Sequence, residues 1–291
     1  MHARTPSIPL ADAPRRRRTP LLVKASAALH LGAGAALVAS PEVWPWALGA
    51  VAMNHALITG TGLWPRSTWL GQNMRRLPDA SAARGEVSLT IDDGPDPAVT
   101  PRVLDQLDTA HAQATFFCIA AQAQAHPQLC REIVRRGHSV QNHSHAHSHT
   151  FSLRGTRATQ REIARAQDVL AQITGERPRF FRAPAGLRNP FLASVLFDMN
   201  LELVSWTRRG FDTVRTDPDD VLGRLTHDLR AGDILLLHDG NAARTAQGDA
   251  VVLSVLPKLL ARFAQAGLRA VTLPDAMLAP APQATATQAT A

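Results

Sequence analysis

The 291-residue sequence contains no tyrosine and only two cysteines, and aromatic residues make up just 5% of it. Two thiols, Cys118 in an apolar run and Cys130 in an expected helix, are too few to fix a redox compartment. Both read as packing residues. Without tyrosine, tryptophan is left as the large amphipathic aromatic, and four of the five tryptophans fall between Trp44 and Trp69. Acidic residues are scarce at the start. Positions 1–84 hold ten Lys/Arg against three Asp/Glu, and the whole chain has a formal charge of +7. The rest is balanced at 21 residues of each sign, so the basic excess belongs to the N-terminal region alone. That placement points to a membrane surface and argues against a nucleic-acid footprint on the main body. The length allows one large domain plus an appendage.

Residues 1–20 are proline-rich, include Arg15 to Arg18, and read as a disordered basic arm. Leu21 to Ser40 is apolar apart from Lys24 and His30, which suits the roughly 20 residues needed to cross a bilayer once. After a break at Pro41-Glu42, Val43 to Leu63 is again apolar, diluted by Asn54, His55 and Thr59. Trp44 and Trp46 at one end, with Trp64 and Trp69 at the other, are placed as anchors at two membrane–water interfaces. Residues 21–64 are therefore expected to form a helical hairpin in a lipid bilayer of the bacterial inner-membrane type. Arg15 to Arg18 precede it, and Arg66, Arg75 and Arg76 follow. The positive-inside rule then leaves both ends, and the body of the chain, in the cytoplasm. If only the first segment spans, the body is periplasmic. A cleaved signal peptide ending near Ser40 is disfavoured by Pro41.

After a linker at 65–85 the pattern alternates. Strand-like runs are expected at 87–91, 115–119, 139–142, 179–181, 202–206, 234–238 and 269–272. Amphipathic helices are expected at 101–110, 127–136, 159–173, 190–199, 219–229 and 251–266. Thr100 is placed as a cap, and Gly137, Gly175 and Gly267 as helix ends. This alternation implies an α/β domain over 86–278 with a parallel sheet, doubly wound or closed as a barrel, followed by a low-complexity tail at 279–291. In such sheets chemistry gathers at the C-terminal strand ends.

Polar residues recur there. Val87 to Ile91 runs into adjacent carboxylates, Asp92 and Asp93, before Gly94-Pro95 breaks the strand. The third run ends in four alternating histidines, His143, His145, His147 and His149; the fourth in Arg182-Ala-Pro-Ala-Gly186; the sixth in His238-Asp239. Two neutral imidazoles with one strand-end carboxylate make a mixed N/O site with positions left open, as a catalytic divalent ion requires.

In this order, T-I-D-D-G-P, H-S-H-A-H, R-A-P-A-G and L-L-H resemble the motifs of the polysaccharide deacetylase family, the NodB-like type also called carbohydrate esterase family 4. The resemblance covers about Val87 to Thr272. It implies a distorted β/α barrel that removes acyl groups from N-acylated sugars. Carried over by motif, Asp92 would be the general base, steadied by Arg182. Asp93, His143 and His147 would ligate the metal, and His238 would be the general acid. A frame shifted to His145 and His149 has the same spacing but puts Ala146 where Ser or Thr is expected. There are departures: Ala185 replaces an aromatic, and the fourth motif is not present as such. Asp212 is its nearest counterpart and would polarise His238 through a hydrogen bond, with Trp206 as a groove wall. The implied cofactor is zinc, or else cobalt, nickel, iron or manganese. The implied partner is an acylated amino-sugar glycan or a lipid-linked saccharide. O-acyl esterase, deformylase and non-catalytic glycan-binding readings stay open.

Overall fold

The computed structural model describes residues 19–278. Arg15 to Arg18, with nearly all of the expected basic arm, and the tail at 279–291 lie outside the described residues. The first elements form a hairpin: α1 (Leu21–Ala39), a short turn at Pro41–Val43, and α2 (Trp44–Leu63). No residue of α1 is buried. The two helices meet through polar groups, Asn54 Nδ2 donating to Ser26 Oγ at 2.8 Å and His30 lying edge-on to His55. At 19 residues α1 spans about 28 Å, close to a hydrocarbon core. Among the described residues it alone is long and apolar enough to cross a membrane, with a mean hydropathy of 1.6.

The body follows as α3 (Asp79–Ala83), β1 (Glu86–Asp92), α4 (Thr100–Thr109), β2 (Ala114–Cys118), α5 (Ala120–Ala125), α6 (Pro127–Arg135) and β3 (Ser139–Asn142). Then come α7 (Thr156–Thr174), β4 (Phe180–Phe181), α8 (Leu192–Asp198), β5 (Glu202–Leu203), β6 (Arg208–Arg209) and α9 (Pro218–Thr226). The chain closes with β7 (Ile234–His238), α10 (Val251–Gln265), β8 (Arg269–Ala270) and α11 (Leu273–Ala276). The sheet is parallel and curled, in the order β5-β4-β3-β2-β1-β7-β6, with β8 on the lower end of β1. This is the half-barrel form of the expected α/β fold.

Strand alternation separates two environments. Val87, Leu89 and Ile91 join the outer core beneath α4, α9 and α10, as do Leu235 and Leu237 of β7. Ser88, Thr90 and Asp92 have the opposite parity and are just as buried. The curled sheet therefore encloses polar side chains. Cys118 and Cys130 are free and buried in the outer core, in keeping with a packing role.

Several boundaries differ from expectation. The fifth and eighth strands are only two residues long, and β6 was not anticipated, since Arg208-Arg209 has no apolar pattern and pairs only because β7 offers an edge. The helices α3, α5 and α11 are too short for periodicity to show. Thr100 does not cap α4 but is its first residue, and its hydroxyl is used elsewhere. Gly137, Gly175 and Gly267 do sit at helix ends with positive φ.

Residues 65–85, read as a linker, are built into the body. Met74 pairs in parallel with Val204, and Leu77 N donates to the Gly232 carbonyl at 2.9 Å. Arg76 Nη1 reaches the buried Asp233 at 2.5 Å. The extended segment 74–77 thus bonds to both margins of the curled sheet. A chain beginning at Pro78 is expected to lose cooperative thermal unfolding, whereas one beginning at Thr19 keeps it. A sharp calorimetric transition in the shorter chain would show that this segment is dispensable.

Candidate active site

The first carboxylate is positioned by strand register. On adjacent parallel strands Asp92 is the Cα partner of His238, so the last residues of β1 and β7 stand side by side. Asp92 continues the inward parity of β1, whereas Asp93 would point outward if the strand ran on. It does not run on. Asp93 takes φ +75°, a left-handed turn that lets both neighbouring carboxylates face one hollow. His143 Nε2 accordingly lies 3.2 Å from Asp93 Oδ1 and 3.8 Å from Asp92 Oδ2. Two glycines make room for the turn. A Cβ on Gly94 would sit 2.3 Å from the Asp239 carboxylate, and one on Gly240 would sit 2.4 Å from the Asp93 carbonyl oxygen.

The histidines arrive on the loop after β3. Ser144 (φ +65°) and His147 (φ +48°) coil this loop, and His147 N donates to Ser144 Oγ at 3.0 Å. His143 Nδ1 is 2.9 Å from the Arg182 carbonyl oxygen, which can only accept, so Nδ1 carries the proton and Nε2 faces the hollow with a free lone pair. His147 Nε2 lies 3.3 Å from the same Asp93 Oδ1. Ligand atoms of Asp93, His143 and His147 all lie within 4.8 Å of one another, and they form the one such group among the described residues. His145 turns away to Gln124 at 3.1 Å, and His149 is exposed. Of the two histidine frames, the structure brings together His143 and His147.

Arg182 crosses the barrel interior fully buried. Its Nη1 donates to Asp92 Oδ1 at 2.7 Å and Thr90 Oγ1 at 2.8 Å, its Nη2 to the Ser205 carbonyl at 3.0 Å, and its Nε to the Val204 carbonyl at 3.3 Å. The guanidinium lies 4.2 Å over the Phe117 ring. Across the hollow Asp212, wholly buried, accepts from His238 Nδ1 at 2.9 Å and from the His238 backbone N at 2.7 Å. This pair leaves His238 Nε2 as the atom directed at the site. Trp206, expected on a groove wall, is mostly buried against Gly186.

Electrostatics follow from this crowding. Burial raises the Asp93 carboxyl, but His143 when protonated, with His238 and His147, outweighs it and holds the group well below the carboxylate range. Burial also opposes protonation of His238, yet Asp212 more than offsets it, with help from Asp92 and Asp93, and its pKa is raised. His147 is lowered by burial and by the neighbouring His143. Asp93 Oδ1 itself has no hydrogen-bond donor although it is buried. A buried carboxylate oxygen 3.2 and 3.3 Å from two imidazole Nε2 atoms is a donor set that fits a divalent cation.

Two residues here were given no role from sequence, although Asp239 was noted at its strand end. Asn241 Nδ2 donates to Asp93 Oδ2 at 3.2 Å. Asp239 accepts from Thr100 Oγ1 at 2.5 Å and from Gly240 N at 2.9 Å, tying the end of β7 to the start of α4. Burial, with the charge of Asp93 adding to it, pushes its carboxyl up to about 7. The only sequence signal for either was proximity to His238.

Comparison with known proteins identifies relatives of the chain. Residues 79–204 match the polysaccharide deacetylase family model. The chain is 35% identical over 168 residues to a chitooligosaccharide deacetylase of Sinorhizobium fredii, covering 57% of this chain and 78% of that one. It is 29% identical over 191 residues to a peptidoglycan-N-acetylglucosamine deacetylase of Bacillus cereus, covering 65% and 86%. A CE4 family pseudoenzyme from Bacillus anthracis shares the fold, with a TM-score of 0.63 at 20% identity over 71% of this chain and 69% of that one.

Replacing Arg182 by Met would strand Asp92 in the barrel interior. A loss of about 3–5 kcal/mol is expected for breaking one side of a buried ion pair. Adding Asp92→Asn should recover part of it, read by urea unfolding of the double-mutant cycle. Strict additivity would mean that the pair is not coupled.

Proposed function

The chain belongs to the polysaccharide deacetylase family, and from that premise we propose that it is a membrane-tethered, metal-dependent hydrolase removing N-acetyl or related acyl groups from the amino sugar of a glycan or glycolipid. The observation that carries this reading is the convergence of Asp93 Oδ1, His143 Nε2 and His147 Nε2 beside Asp92 and His238. Asp93, His143 and His147 would hold the ion. Their two-nitrogen, one-oxygen donor set suits zinc best, with cobalt, nickel, iron or manganese also accommodated. When bound, such an ion polarises the amide carbonyl and makes a water more acidic.

The protein's own groups do the rest. Asp92 takes the proton of the attacking water, and Arg182 fixes its carboxylate by holding Oδ1. The new C–O bond forms as the amide carbonyl becomes tetrahedral. His238 then donates its Nε2 proton to the sugar nitrogen, the C–N bond breaks, and a free amine and a carboxylate leave. Asp212 keeps His238 oriented and protonated for that step. A formamide or an O-acyl ester would be cleaved by the same sequence. Presence of base, acid and ligand set together supports an enzyme over a glycan-binding module on this fold.

Membrane tethering is supported by the hairpin. Its apolar surface, including Leu31, Val38 and Met53, is exposed, and its tryptophans stand at both ends. The start of α1 touches Gly71 through Pro20, and the end of α2 is tied to the body by Arg188 N donating to the Gly62 carbonyl. Although α1 alone has the length and apolarity of a span among the described residues, a bilayer that takes up α1 would draw the tethered α2 in beside it and leave the body on the side of both helix ends. With Arg66, Arg75 and Arg76 on that side, the positive-inside rule favours the cytoplasmic face.

Asp92→Asn should leave zinc bound at one per chain while cutting acetate release from N-acetylchitotetraose by about 100-fold or more. His147→Ala should lose the zinc, as read by elemental analysis. Retention of more than about a tenth of normal turnover in Asp92→Asn would remove this residue as the base.

The pH dependence tests His238. Its raised pKa keeps the acid protonated to higher pH, so activity is present below that pKa and lost as pH rises through it. Asp212→Asn removes the largest opposing influence to burial. The alkaline limb of kcat should therefore move to lower pH, and an unmoved limb would assign it to another group.

A further inference from the structure

A groove of about 800 Å³ runs beside the site just described, between the base of the hairpin and α9. Its walls include Trp64 and Arg66 at the end of α2, Trp206 and Arg209 from the β5–β6 region, and Phe211 and Arg224 beyond. Four arginines line it, Arg208 included, against one carboxylate, Asp220. Two of these cations are already spent. Arg208 pairs with Asp233, and Arg224 with Asp220, which Arg215 also engages. Arg66 and Arg209 have no ion pair among the described residues. Arg66 donates only to the Thr207 carbonyl, at 3.2 Å.

Arg209 is held by its faces. Its guanidinium lies 5.3 Å from the Trp206 ring and 5.0 Å from the Phe211 ring, and its Nε is buried without an acceptor. Stacking fixes the plane and leaves the N–H edge unused, the arrangement in which arginine binds a planar or tetrahedral oxyanion in bidentate fashion. Both ends of the groove are defined. Trp64 caps the C-terminal end of α2, where the hairpin meets the body. Phe211 adjoins Asp212, which holds His238, and Trp206 also stacks 5.8 Å from Arg182.

We propose that Arg66 and Arg209 form an anion subsite for the phosphate or diphosphate of a membrane-borne, lipid-linked amino sugar, with the sugar reaching the Asp93–His143–His147 hollow. This rests on the deacylase reading above and narrows its substrate class. Charge complementarity selects an anionic linkage, and continuity with the end of α2 selects a lipid-borne one. A neutral soluble oligosaccharide would leave both cations without a partner. The reaction class that supplies this substrate is sugar phosphate transfer onto a lipid carrier. A reaction consuming the freed amine would follow.

The test uses the full chain in phosphatidylcholine vesicles, following acetate release from three substrates. These are a polyprenyl diphosphate-linked N-acetylglucosamine in the same vesicles, soluble N-acetylglucosamine 1-phosphate, and soluble N-acetylchitotetraose. The intact protein should show kcat/KM at least about tenfold higher on the lipid-linked substrate than on either soluble one, the effect of one charge-assisted contact. The Arg66→Gln, Arg209→Gln double variant should lose that lead through KM, and Arg209→Lys should restore part of it. Equal kcat/KM on all three substrates would overturn the inference and leave the deacylase reading standing. An equal fall on all three in the double variant would do the same. Sugar 1-phosphate matching the lipid-linked substrate would overturn the membrane source. No acetate from any substrate would remove the deacylase reading itself, and the inference with it. The wild-type preference decides the matter even if the double variant folds poorly.

Discussion

The buried contact between Arg182 and Asp92, 2.7 Å long, is the constraint around which the rest of the molecule is arranged. A guanidinium and a carboxylate cannot stay inside a sheet-lined interior unless their donors and acceptors are nearly all satisfied. Arg182 reaches the two consecutive carbonyls after β5, a threonine hydroxyl of β1 and an aromatic face of β2, partners from three stretches of chain. Those partners can be collected only if the sheet curls. The polar inward parity of β1, with Ser88, Thr90 and Asp92 in a row, is therefore part of the architecture as well as of the site.

From that pair the site grows outward by local exceptions to regular structure. The left-handed turn at Asp93 overrides the up-and-down rule of the strand, and Gly94 and Gly240 permit it because no Cβ fits where they lie. Ser144 and His147 repeat the device on the histidine loop. Each exception costs backbone strain of order 1–3 kcal/mol, and such strain persists only where surrounding contacts enforce it. Here those contacts come from Asp239, Thr100, Asn241 and the Arg182 carbonyl.

The hairpin gives the site an address. Its two helices leave and re-enter the body at nearly the same place, between the region of Gly71 and the loop at Arg188. Arg66 and Arg209, without ion-pair partners among the described residues, line one groove with Trp64 at the end of α2 and Phe211 beside Asp212.

Much was legible in the linear chain because it depends on near neighbours. Helix–strand alternation, the glycines at helix ends and the apolar N-terminal segments follow from periodicity and backbone freedom. The four short motifs marked Asp92, Asp93, His143, Arg182 and His238 because strand ends are where chemistry collects in a parallel sheet. Other features waited for three dimensions. The two histidine frames have identical spacing; Ala146 already favoured His143 with His147, and the positive φ at Ser144 and the contact of His145 with Gln124 show how the fold gathers that frame. Asp212 was expected from the resemblance to polarise His238, but that it reaches it from 26 residues away is a matter of the fold. The stretch 65–85 looked like a linker because its partners, Val204, Gly232 and Asp233, lie more than a hundred residues further on. Arg66 and Arg209 became neighbours for the same reason. Sequence determines what a residue can do with those beside it, whereas the curl of the sheet decides which distant residues share a dielectric, a charge and a ligand.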